Sequence, residues 1–175
     1  MTKKSFIILL LVAFIALPLS GMAAGMTAKA GLAQANASSQ KWQKDAVLVN
    51  VSTLQANSDG TAAKWGYMYY SAKAKKGYTV DVKDGKIVET LEVNPYIKDA
   101  VGEFVDSDKA MQEAKKNGLK GKGKAAMSLM VMGQATKQPG TYWNVIGGYE
   151  KGDVGVTLEA KTGKFSYKHE INEIK

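Results

Sequence analysis

The residues that could carry chemistry are few. Among 175 residues there is one histidine and no cysteine, and all 24 basic residues are lysines. Thiolate nucleophiles, disulfides and Cys/His zinc frameworks are excluded on composition alone. His169-Glu170 begins like a zinc-protease helix but continues Ile171-Asn172-Glu173, without the second histidine. A hydrolytic triad would need a nucleophile and an orienting acid beside that imidazole, and no such set can be assigned. Gly118-Leu119-Lys120-Gly121-Lys122-Gly123-Lys124 has the G-x-x-x-x-G-K spacing of a phosphate-binding loop. Ala125 stands where the magnesium-holding hydroxyl belongs, and the flanking pattern is helix before and strand after, the reverse of that loop's setting. No catalytic residue, metal ligand or cofactor is assigned, and the chain is expected not to be an enzyme.

What remains are contact residues. The run Trp65-Gly66-Tyr67-Met68-Tyr69-Tyr70 is amphipathic on both faces of a strand. One face can pack in a core and the other meet a partner, because tyrosine combines large area with a polar tip. The alternative is wholly structural, with the second face covered by a helix or by the amino-terminal segment. Tyr67, Tyr69 and Tyr70, with the neighbouring Lys73, Lys75 and Lys76, are the candidate partner contacts. The lysines at 73, 75, 76, 120, 122 and 124 suit anionic envelope polymers or acidic lipids through net charge, which is +8. The lack of arginine argues against specific phosphate or base recognition, where the planar fork is preferred. Solvated loops explain the same lysines without any ligand. Asn36-Ala37-Ser38 and Asn50-Val51-Ser52 fit the N-glycosylation pattern.

The first residues read as an address. Met1-Thr2-Lys3-Lys4 is a basic start, Ser5 to Leu19 is almost wholly apolar, and small residues follow Pro18. These are the three parts of an export signal, and the apolar run is shorter than a membrane-spanning helix needs. Cleavage is expected after Ala23 or Ala24, leaving a charge of +6 and a periplasmic or extracellular protein. No cysteine follows for lipid attachment, so membrane contact is expected only through an uncleaved signal. Without disulfides a packed core must hold the mature chain, and about 150 residues suffice for one.

Residues 25–40 are rich in Ala, Gly and Ser and read as a flexible lead-in. Ser38 or Ser39 is expected to cap a short helix reaching Ala46, with Trp42 as its anchor. Strands are expected over 46–51, 62–71, 77–83 and 86–92. Tyr78, Val80 and Val82 share one face and Thr79, Asp81 and Lys83 the other. Asp84-Gly85 marks a tight hairpin. Ser107 is expected to cap a helix with Ala110, Met111 and Ala114 on one stripe, ended at Asn117-Gly118. Further strands are expected over 126–132, 141–149, 153–160 and 164–168.

Sliding the chain by 78 residues aligns Trp65 with Trp143, Gly77 with Gly155, and Gly85-Lys86 with Gly163-Lys164. The inward set Tyr78, Val80, Val82 falls on Val156, Leu158, Ala160, which predicts an internal repeat with matched strand pairing. Val156-Thr157-Leu158-Glu159-Ala160-Lys161-Thr162-Gly163-Lys164-Phe165 resembles the last hairpin of PepSY-like domains of exported proteins. Val80 to Ile87 is a looser copy, and Trp143 and the Ser107-Asp108-Lys109-Ala110 helix start also suit that pattern. Glu159 departs from the usual aspartate, and the lysine-glycine tract is unusual for the family.

The expected fold class is α+β: two repeated units, each a helix packed on an antiparallel sheet (PepSY/cystatin-like), over 41–96 and 97–175, after a signal at 1–24. The two units are expected to pack their apolar faces together. The resemblance implies a non-catalytic binding module that restrains or docks to an extracytoplasmic peptidase or other protein. The alternative is a lysine-rich cell-envelope structural or polyanion-binding protein.

Overall fold

The period-two runs form eight strands, and the computed structural model describes them within residues 25–133 and 139–172. The export signal expected at residues 1–24 lies outside the described residues. In chain order the elements are α1 (Leu32–Trp42), β1 (Val47–Ala56), β2 (Lys64–Ser71), β3 (Lys76–Lys83) and β4 (Lys86–Val93). Then come α2 (Ser107–Lys116), β5 (Ala125–Met132), β6 (Gly140–Ile146), β7 (Val154–Glu159) and β8 (Phe165–Glu170).

All eight strands belong to one antiparallel sheet of order β4-β3-β2-β1-β5-β6-β7-β8. This corrects the expected fold class of two separate helix-on-sheet units packed face to face. The two strand quartets meet edge to edge instead, through a ladder pairing Val51 with Leu129 and Thr53 with Met127. The physical reason is backbone accounting. If β1 and β5 ended separate sheets, each would bare a row of N–H and C=O groups, and pairing them satisfies both rows.

The expected gapless repeat also needs correction in its pairing. Trp65 faces Val82 across β2 and β3, whereas Trp143 faces Leu158 across β6 and β7. A slide of 78 would set Trp143 against Ala160. The loops that join the paired strands account for the difference. Ser71 pairs with Lys76 around residues 72–75. Ile146 pairs with Gly155 around the longer segment 147–154. The register moves by two residues, so the faces stay in phase although the pairs do not. Val80, Val82, Val156, Leu158 and Ala160 are all fully buried.

Both helices contribute to the core on one face of the sheet, called here the inner face. Trp65 and Trp143 meet edge to face at its centre, with ring centroids 6.2 Å apart. Each indole N–H is satisfied by backbone, Trp65 by Met26 (2.8 Å) and Trp143 by Val105 (2.9 Å). The α2 stripe Ala110, Met111 and Ala114 is buried there as expected. Its cap is Asp106, in extended conformation, rather than Ser107. Ser107 is buried and its hydroxyl accepts from the Ala28 amide (3.0 Å).

Residues 25–40, expected to be a flexible lead-in, are built into the structure. Met26 bridges Ala62, and α1 starts at Leu32, well before the expected cap. Ser39 is an interior helical residue whose hydroxyl donates to the Asn36 carbonyl. Small side chains supply little apolar area, but they let a helix lie close on a sheet, and Ala28, Ala35 and Ser39 are fully buried. Trp42 stacks on Tyr78 at 4.9 Å. Neither described helix is long and apolar enough to cross a membrane.

Candidate interaction site

The six candidate contacts do not converge. Tyr67 and Tyr69 point to the inner face and are 1% and 2% exposed. Their hydroxyls donate to the Ala28 carbonyl and to Asn36 Oδ1, each at 2.7 Å. The amino-terminal segment and α1 thus cover the strand, and burial pushes both phenols well above their ordinary ionisation range. These two tyrosines are core residues, which corrects their assignment as partner contacts. Tyr70 lies on the opposite, outer face, half-buried, with the Lys98 ammonium 6.0 Å from its ring centroid.

Lys73, Lys75 and Lys76 sit at the β2–β3 turn. The Lys73 amide donates to Asp45 (3.0 Å), and that bond holds the Asp45 carboxyl below its usual range. Lys75 takes a positive φ of 55°, and Lys76 lies 3.8 Å from Glu92.

The remaining motifs find structural settings. His169 lies over Gly155, its partner across β7 and β8, and its Nδ1 is buried without a hydrogen-bond partner. Among the described residues no nucleophile or carboxylate is hydrogen-bonded to that atom. The lysine-glycine run joins α2 to β5, the helix-then-strand order that a phosphate-binding loop does not use. Asn50 is 7% exposed and donates to the Leu129 carbonyl, so the second sequon is closed to modification in the folded chain. Asn36 is exposed on α1. Among the described residues no group of three or more His, Asp or Glu side chains is placed to hold a metal.

Two other surfaces stand out. The first is the outer face, on which neither helix packs. One row across it runs Thr79, Met68, Asn50, Met130, Tyr142 and Glu159, and the next runs Asp81, Gly66, Ser52, Ser128, Asn144 and Thr157. A depression of about 560 Å³ opens at one end of the second row, lined by Ser52, Leu54, Lys64, Gly66, Asp81 and Lys83.

The second surface is β4, an edge of the sheet. Seven of its eight residues are exposed and Val93 is half-exposed, with Ile87, Val88 and Leu91 at 42%, 55% and 56%. Its ladder to β3 shifts between Asp81 and Val82, leaving Val88 as the extra residue of a bulge. Beyond the bulge, Glu89 to Val93 pair regularly with β3 and present a backbone edge that is unpaired among the described residues. Outer-face side chains there are Glu89, Leu91 and Val93, opposite Asp81, Thr79 and Gly77. The far edge, β8, is shorter and alternates Tyr167, Lys168, His169 and Glu170.

The strand order puts β4 at an edge, and the sequence of a returning hairpin strand does not reveal that position. The absence of any alternation in its exposure is a tertiary fact.

No family model matches the chain, and no curated protein matches it. Among solved structures it is similar to a protein of Clostridium difficile 630 described as a "putative lipoprotein". The two share 15% identity with a TM-score of 0.53, over 77% of this chain and 89% of the other. At that identity the likeness is one of fold.

Proposed function

We propose that this is an exported, non-catalytic binding module that captures an extended segment of a protein partner by strand addition at β4. The PepSY-like pattern at Val156 to Phe165 makes an extracytoplasmic peptidase the partner class to test first. The observation that carries the reading is the bare edge from Glu89 to Val93 with apolar side chains beside it. Main-chain hydrogen bonds to such an edge supply affinity, and alternate side chains supply selectivity. Leu91 and Val93 favour apolar residues in the incoming strand, while Glu89 favours lysine or arginine.

The test is photo-crosslinking in the extracytoplasmic fraction, with the crosslinker at Leu91 or, as control, at Phe165 on β8. The expected result is one specific protein joined at Leu91 and not at Phe165, with capture reduced at least about tenfold by Glu89→Lys. Recovery of no specific protein, or equal recovery from both edges, contradicts the reading.

A second reading, a lysine-rich envelope or polyanion-binding protein, is favoured by charge segregation. Residues 114–149 contain six lysines and no carboxylate. Binding of this kind collapses steeply as salt rises, whereas an apolar strand contact survives.

A further inference from the structure

The lysine-glycine run is held in place by its backbone. Lys120 and Val154 exchange hydrogen bonds, at 2.7 Å from the Val154 amide and 3.4 Å from the Lys120 amide. Gly121 lies directly on the backbone of Gly147, where a side chain on either would collide with the other strand of the contact. Gly121 and Gly147 allow this close approach, and Lys120, Lys122 and Lys124 project exposed.

This loop is next to the point where the described chain begins. Gly25 is packed against Asn57 and Thr61, and Asn57 Oδ1 accepts from the Lys124 ammonium. On the other side, the Gly85 amide at the β3–β4 turn lies 3.4 Å from Met26 Sδ, which brings Lys83 and Lys86 to the same end. Five exposed lysines thus lie at this end of the sheet, against the carboxylates of Asp59, Asp84 and, beside Tyr149, Glu150. Among the described residues Lys83, Lys86, Lys120 and Lys122 make no ion pair. Asp59 is engaged by Thr61, through both its hydroxyl (2.7 Å) and its amide (3.0 Å). Apolar and aromatic groups are exposed at this end too, Leu54 at 71%, Tyr149 at 67% and Val88 at 55%.

We infer that this end of the sheet is a docking face for an anionic phospholipid surface. The inference rests on the polyanion reading above, and it names the place and the partner. Unpaired lysines on a rigid loop are attracted to anionic headgroups over about a Debye length. A tyrosine beside them suits the headgroup level. A nucleic acid or a soluble polyanion would use the charge but not the apolar fringe.

The test is sedimentation of the protein with vesicles of phosphatidylcholine alone and of phosphatidylcholine with phosphatidylglycerol. Two triple variants remove equal charge from opposite ends, Lys120→Gln/Lys122→Gln/Lys124→Gln and Lys73→Gln/Lys75→Gln/Lys76→Gln. Unchanged melting temperatures establish that both fold. The expected result is preference for the anionic vesicles, weakened about a hundredfold by the first triple and far less by the second. Equal loss in both triples overturns the docking face and leaves a general charge effect standing. No preference for anionic vesicles overturns the face, and the polyanion reading falls with it when polyphosphate and duplex DNA also fail to bind. Tighter binding to polyphosphate or duplex DNA than to the vesicles, at equal phosphate, overturns the phospholipid as partner.

Discussion

At the scale of single residues the core is built around aromatic groups whose polar atoms are all answered. Trp143 is fully buried, meets Trp65 and Phe104 edge to face, and donates to the Val105 carbonyl. Trp143→Ala should cost about 3–5 kcal/mol, read as a lowered urea midpoint. Tyr67→Phe removes a bond to Ala28 and should cost about 1 kcal/mol at neutral pH. It should also flatten the alkaline limb. The Tyr67 phenol ionises later in the fold than in the open chain, so its contribution is complete below about pH 10. That contribution is lost as pH rises from there towards the folded value, because the unfolded chain releases the proton first. Melting temperatures between pH 9 and 11 should therefore fall more steeply in the natural protein than in Tyr67→Phe.

Elements were legible to the extent that their signals are local. The alternation of Tyr78, Val80 and Val82 and the turn at Asp84-Gly85 located β3 and β4, and Ala110, Met111 and Ala114 located α2. The α1 helix starts before its local signals indicate because alanine and serine carry little hydrophobic signal, yet their small size is what allows Ala35 and Ser39 to lie flush on the sheet. The burial of Tyr67 and Tyr69 follows the structural alternative for that strand, and its cover is illegible for the same reason, because the segment is made of small residues. The β4 edge and the lysine loop depend on which strands become neighbours, and no local pattern encodes that. Gly121→Ala tests the loop's close approach to Gly147. It should cost roughly 1–3 kcal/mol and speed amide exchange at Lys120 and Val154, which the loop's two bonds now protect. Equal exchange in variant and natural protein would show that the contact is slack.

At the scale of the whole molecule the question is why two strand quartets behave as one body. The β1–β5 ladder joins them along the middle, and the Trp65–Trp143 contact lies at the centre of the inner face. The segment before α1 also reaches α2, through the Ala28 and Lys29 amides on Ser107 and Asp106. Apolar burial on the inner face is shared across all these connections, so neither half retains its core alone. Unfolding should be a single transition, with equal calorimetric and van't Hoff enthalpies. A substitution in either half, Val80→Ala or Leu158→Ala, should lower that one transition rather than split it.

The sheet is sealed through its middle and bare at one edge, and amide hydrogen exchange followed residue by residue tests both parts of that description at once. The slowest amides should lie in β1 and β5 and share one opening free energy equal to that of global unfolding. The outward amides between Glu89 and Val93 should exchange fastest of any in the strands. Separate opening energies for the two quartets, or protection along β4 as strong as in β1, would contradict it.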